Sequence, residues 1–174
     1  MTENLKEQFN KALIHYKSGN LEEARVLYNE IIDQNPDNIE LILKIFNLFY
    51  RKLEFKYAEE YIKKVIEIKP LAKYYKALGD VYYNQGEYEK AIETYLPVEK
   101  VCPDSDYILF KIGTAYSFLN KMDEAIEYLN KVVNINDKDS NTHYNLAIAF
   151  DYKLEIQKAV EHTLKAIELR SPNP

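Results

Sequence analysis

YYKALGDVYYNQGEYEKAIETYLPVEKVCP, residues 74–103, decides the fold of this 174-residue chain. Tyr75, Leu78, Gly79 and Tyr82 fall at i, i+3, i+4 and i+7, the spacing of one helix face. Gly86 interrupts the pattern, and a residue that tolerates φ > 0 is the usual stop after a helix. Tyr88, Ala91, Ile92, Tyr95 and Val98 then trace a second helix, and Pro103 closes the unit. A hairpin this short cannot bury its apolar faces alone, so it needs neighbours of its own kind.

The neighbours are present. Ala91 belongs to a series of Ala24, Ala58, Ala91, Ala125 and Ala159, at intervals of 34, 33, 34 and 34 residues. Each sits in a similar block: GNLEEA, LEFKYA, GEYEKA, NKMDEA and LEIQKA. Pro36, Pro70 and Pro103 each follow the alanine of their unit by twelve residues. The fourth unit repeats the apolar pattern with Leu109, Ile112, Gly113 and Tyr116, then Asn120, then Met122, Ala125, Ile126, Leu129 and Val132. Ten helices are predicted, near 5–17, 21–33, 39–51, 55–68, 72–84, 88–101, 106–118, 122–134, 140–152 and 156–169. Gly79 and Gly113 are expected to admit the paired helix, with Ala91 and Ala125 as the opposing small surface.

On these residues the chain resembles the tetratricopeptide repeat family over about residues 5–173. The repeats run near 5–38, 39–71, 72–105, 106–139 and 140–173. In the third, Tyr75 holds the family's first aromatic position, followed by Leu78–Gly79, Tyr82, Gly86, Ala91, Tyr95 and Pro103. The resemblance implies an all-α fold, a right-handed α-solenoid of helix-turn-helix repeats forming a single domain over 1–174. It also implies a concave groove lined by the first helix of each repeat. Departures are Phe46 at a small-residue position, Leu53 and Leu154 where the turn favours glycine, and Thr163 for an aromatic. A ring at Phe46 is expected to splay its hairpin or turn outward. Pro97, inside a second helix, is expected to bend it.

Composition narrows the function. The 23 Lys plus Arg and 28 Asp plus Glu are interspersed, giving a net charge of −5. That balance argues against nucleic acid as a partner. Cys102 is the one cysteine, so no intrachain disulfide forms. MTENLKEQFNKALIHYKSG lacks the basic and apolar regions of a signal peptide. No stretch reaches the length of a membrane span. A cytoplasmic location is the expectation. No phosphate-cradling glycine loop, zinc-ligand spacing or activated nucleophile motif exists, so no catalytic residue, metal or cofactor is assigned. His15 and His143 replace aromatic positions of the repeat and are expected to make helix contacts. The paired acids at 22–23, 59–60 and 123–124 open second helices, where negative charge complements the helix dipole.

By the resemblance, thirty first-helix positions face the groove. They hold seven cations and three anions, against 16 and 25 elsewhere, and nine of them are aromatic. The residues assigned to a peptide-binding groove are Lys6, Phe9, Leu13, Tyr16, Lys44, Asn47, Tyr50, Arg51, Lys73, Lys76, Asp80, Tyr83, Tyr107, Phe110, Lys111 and Tyr144. A basic, aromatic lane attracts acidic and apolar protein segments. The terminal helix keeps Val160, Leu164, Ile167 and Leu169, an apolar face for which the expectations are a homo-oligomer interface, partial burial that suffices, or a chain that is a piece of a longer protein. The leading expectation is a non-enzymatic adaptor that binds a peptide or protein segment. A self-assembling scaffold and the regulatory arm of a larger enzyme complex are the alternatives.

Overall fold

A computed structural model describes residues 3–171. Ten α-helices occupy the described residues: α1 (Glu3–Lys17), α2 (Leu21–Asp33), α3 (Ile39–Arg51), α4 (Phe55–Ile68), α5 (Ala72–Gln85), α6 (Tyr88–Val101), α7 (Asp106–Phe118), α8 (Met122–Ile135), α9 (Ser140–Tyr152) and α10 (Ile156–Arg170). Helix starts agree with the periodicity, α1 alone beginning two residues earlier. The fold is all-α, built of helix-turn-helix hairpins. The helices gather into two compact units, Met1–Tyr74 and Tyr75–Pro174.

All five hairpins close in the same way. The turn residue takes positive φ: +87° at Gly19, 63° at Leu53, +78° at Gly86, 58° at Asn120 and 60° at Leu154. Its amide donates to a carbonyl three residues back, as Leu53 N does to Tyr50 O at 3.1 Å. The next amide reaches five residues back, as Glu54 N does to Phe49 O at 3.0 Å. Both bonds satisfy carbonyls that the helix end leaves open. The leucines adopt this backbone despite their Cβ atoms. Between hairpins, side chains cap the first helices: Asn38 accepts from Leu41 N at 3.1 Å, Ser105 from Ile108 N at 3.4 Å and Asp139 from Thr142 N at 3.0 Å.

In the first unit Tyr28, Phe49 and Tyr61 are sealed from solvent, with Phe49 stacked on Tyr61 at 5.5 Å and edge-on to Tyr28 at 6.2 Å. In the second, Leu129, Leu146, Phe150 and Ala159 form a core flanked by Phe110, Ile126 and Val133.

Three local expectations are corrected. The close approach at Gly79 is to the ring of Tyr95, not to Ala91: a Cβ on residue 79 would lie 2.5 Å from Tyr95 Cε1. Likewise a Cβ on Gly113 would meet Leu129 Cγ at 2.9 Å, not Ala125. Phe46 does not turn outward. It is 7% exposed, 5.4 Å from the ring of Tyr50, and its hairpin closes with the same bonds as the others. The residue in register with Tyr95 is here Ile62, which has no ring. Isoleucine is smaller than the tyrosine at that position of the third repeat, which offsets part of the bulk that the Phe46 ring adds. Pro97 lies on the exposed face of α6, which continues through it to Val101 as one element.

Candidate functional site

In the first unit, the apolar and aromatic part of the predicted face is engaged in packing. Phe9 tilts against the buried Tyr28 at 5.2 Å. Leu13 is half-buried. Tyr16 donates its hydroxyl hydrogen to Leu48 O at 2.6 Å and meets Phe49 edge-on at 5.5 Å. Lys52 Nζ stands 4.8 Å over the Tyr16 ring and donates to Tyr16 O at 3.2 Å. Tyr50 lies between Phe46 and Phe55, at 5.4 and 5.6 Å. Lys6 pairs with Glu3 at 3.4 Å, while Lys44, Asn47 and Arg51 are exposed. Lys73 Nζ sits 4.9 Å over the ring of Tyr74.

In the second unit, α5 and α7 bring five predicted residues into one network. Lys76 and Asp80 stand one helical turn apart on α5 and pair at 3.0 Å. Asp80 Oδ1 also accepts from the hydroxyls of Tyr95, at 2.6 Å, and Tyr107, at 2.7 Å. The carboxylate predicted to face a ligand is therefore buried, with three donors upon it. Lys76 Nζ lies 3.7 Å from the centroid of the Tyr107 ring. Lys111 Nζ lies 3.9 Å from that of Tyr83 and 5.8 Å from that of Tyr107. Two cations and two aromatic rings thus interleave across the α5–α7 pair, an arrangement held by ring quadrupoles. Tyr83 in turn donates to Thr114 Oγ1 at 3.1 Å. Burial raises the pKa of Tyr83 and keeps its hydroxyl protonated. Burial lowers that of Lys111; nearby Asp80 opposes this and Lys76 adds to it.

Flanking the network, Tyr88 and Phe118 stack at 4.5 Å with an interplanar angle of 9°, and Phe118 is 59% exposed. On its other side a cleft of about 470 Å³ is lined by Tyr107, Phe110, Lys111, Val132, Asn136 and Asn141, with Asp106, Lys138 and Asp139 completing its wall. Tyr144 stands apart, exposed, under the guanidinium of Arg170 at 5.4 Å. Tyr95 carries no mark of a site role in the sequence, where it reads as a core aromatic. Its polar tip enters the network only because Asp80 lies across the hairpin.

On α10, Val160, Leu164 and Ile167 are exposed, whereas Leu169 is half-buried. His162, on the same helix, was unassigned. Its Nδ1 lies 2.9 Å from Nδ1 of the buried His143, whose Nε2 lies 3.0 Å from Asp137 O. A carbonyl only accepts, so Nε2 of His143 bears hydrogen and its Nδ1 accepts from His162. Burial and the neighbouring His143 lower the pKa of His162, and Glu161 opposes them. Among the described residues no group of three His, Cys, Asp or Glu is placed to hold a metal, and no helix is long and apolar enough to cross a membrane.

Comparison with known proteins places these hairpins. A TPR repeat model matches residues 79–117, and tetratricopeptide repeat models match 107–139 and 6–38. A TPR repeat-containing protein of Methanocaldococcus jannaschii is 28% identical over 129 residues, which are 74% of this chain and 23% of the relative. The photosystem I assembly protein Ycf3 of Rippkaea orientalis is 29% identical over 117 residues, covering 53% of this chain and 67% of that protein. The chain thus spans under a quarter of the first relative's length. A crystal structure of MamA superposes with a TM-score of 0.78 at 21% identity over 100% of both chains.

Proposed function

The chain belongs to the tetratricopeptide repeat family, whose members generally mediate protein–protein interaction, and on that premise we propose that it is a non-enzymatic adaptor. It takes an acidic and apolar protein segment against its first helices, with the α5–α7 face as the principal contact. The observation that carries this reading is the interleaved Lys76–Tyr107–Lys111–Tyr83 stack, a rigid aromatic surface with cations set into it. Rigid tyrosines offer contact area at small entropic cost, and the cations favour acidic partners.

Affinity capture from extract of the source cells tests it, comparing the native chain with a Lys76→Glu, Lys111→Glu variant of unchanged helicity by circular dichroism. Proteins retained by the native chain and lost by the variant support the adaptor. Retention of the same proteins by both overturns the assignment of this face.

A second reading rests on α10. Ile156, Val160, Leu164 and Ile167 lie at i, i+4, i+8 and i+11 and are 55, 52, 62 and 57% exposed. In the preceding repeat the residues in register with three of them, Met122, Ile126 and Val133, are buried or pack against the core that α9 completes. A stripe of this kind suits self-association into a scaffold. Sedimentation of the native chain and of Val160→Asp, Ile167→Asp tests this. An oligomer dissociated by the substitutions supports it, and a native monomer at high concentration dismisses it.

A further inference from the structure

Lys111 differs from Lys76, the other cation of its network, in what its ammonium touches. Lys76 has a carboxylate at 3.0 Å. Lys111 is half-buried and makes no hydrogen bond or ion pair with any described residue; its Nζ has only the faces of Tyr83 and Tyr107. Asp80 attracts it through space but makes no direct ion pair with it. One oxygen of Asp80 holds two tyrosine hydroxyls and the other holds Lys76. The network therefore carries two cations and one anion, and the uncompensated charge is a partly desolvated ammonium with three hydrogens to donate.

We infer that Lys111 is the seat for a single carboxylate, the side chain of an aspartate or glutamate that the bound segment carries between apolar residues. This deepens the adaptor reading and rests on it. One carboxylate brings the network to neutrality and gives the ammonium a charge-assisted hydrogen bond. A phosphate, with close to two negative charges, would leave an excess beside the buried Asp80, and no arginine stands in the network to hold it by two bonds. The surroundings set the neighbours. Tyr107, Phe110 and Val132 line the adjoining cleft, and Phe118 lies exposed beyond Tyr83, so the residues flanking the acid meet apolar surface. The acids of the cleft wall limit the segment to one negative charge there. Asp139 is engaged in capping α9, and Asp106 accepts from Tyr107 N at 2.6 Å.

The test titrates the peptide Ac-Ala-Leu-Asp-Phe-Ala-amide into the full chain, following lysine side-chain and tyrosine ring resonances by NMR. The same peptide with asparagine, and with phosphoserine, in place of aspartate are the comparisons. Saturable shifts at Lys111, Tyr83 and Tyr107 are expected, with the asparagine peptide about tenfold weaker, the range of one charge-assisted hydrogen bond. Lys111→Met, which keeps the stem and removes the charge, should bind the aspartate peptide about tenfold more weakly and bind both neutral and acidic peptides alike. Equal binding of the aspartate and asparagine peptides by the native chain overturns the seat. So does tighter binding of the phosphoserine peptide, which would assign a phosphate reader instead. If no peptide shifts these residues while captured partners still depend on the α5–α7 face, the seat fails and the adaptor stands. If capture is also independent of that face, both fail.

Discussion

Gly79→Ala adds one methyl group to α5, and the structure fixes what it meets. The new Cβ would lie 2.5, 2.7 and 2.9 Å from three ring carbons of Tyr95, where ordinary carbon contacts begin near 3.5 Å. The ring must retreat by about 1 Å to reach that separation. It has little room, being fully buried with its hydroxyl bonded to Asp80 at 2.6 Å. Overpacking of this kind costs about 1–3 kcal/mol, while alanine gains about 0.5–1 kcal/mol over glycine inside a helix. A net loss of about 1–2 kcal/mol is expected, read as a lower urea midpoint by circular dichroism. The decisive measurement is a double-mutant cycle with Tyr95→Ala, which removes the ring altogether. In that background the methyl group gains space, and the cost of Gly79→Ala should shrink by about 1 kcal/mol. Gly86→Ala supplies the contrast. No described residue lies within 4 Å of its Cβ, but its φ is +78°, so it should lose about 1 kcal/mol through backbone strain whatever occupies residue 95. Equal costs of Gly79→Ala in both backgrounds would refute the size-complementarity argument.

Other outcomes follow from single features. Leu53→Gly and Leu154→Gly should each stabilise by about 0.5–1 kcal/mol in urea titrations, since both leucines hold positive φ while 71% and 81% exposed; Asn120→Gly should change little, because asparagine tolerates that backbone. A loss of stability in the leucine variants would mean that their side chains hold the turn. Tyr61→Phe should raise stability by about 1 kcal/mol, because its hydroxyl is buried without a hydrogen-bond partner among the described residues; a fall in midpoint would contradict the orphaned hydroxyl. The depressed pKa of His162 means that the unfolded chain binds more protons once pH falls below about 6.5. Its contribution to stability is complete above that pH and is lost as pH falls through the folded-state value. Urea midpoints at pH 7.5 and 5.5 should therefore differ less in His162→Gln than in the native chain, and an unchanged difference would remove the histidine pair from the account.

Periodicity made the helices legible. The recurrence of alanine and the spacing of apolar residues determined ten helices, their starts, and the five turns between hairpin partners. Local chemistry is enough for that, because helix faces and turn positions repeat along the chain. Two leucines in turn positions show its limit: only the backbone of the folded hairpin forces them into positive φ. The candidate site was legible as a list of residue types along first helices. Which of them remain available was not. From the sequence Lys76 and Asp80 were two separate groove positions; their pairing, one turn apart, belongs to the folded helix. The hydroxyls of Tyr95 and Tyr107 arrive on Asp80 from other helices, and their arrival is what leaves Lys111 without a carboxylate. The burial of the Phe46 ring is of the same order, since the space it fills lies between helices and one sequence segment does not specify it alone. Sequence determined what each helix is, because helical periodicity is local. Tertiary structure decided which polar groups neutralise one another, because charge and volume are balanced across helices.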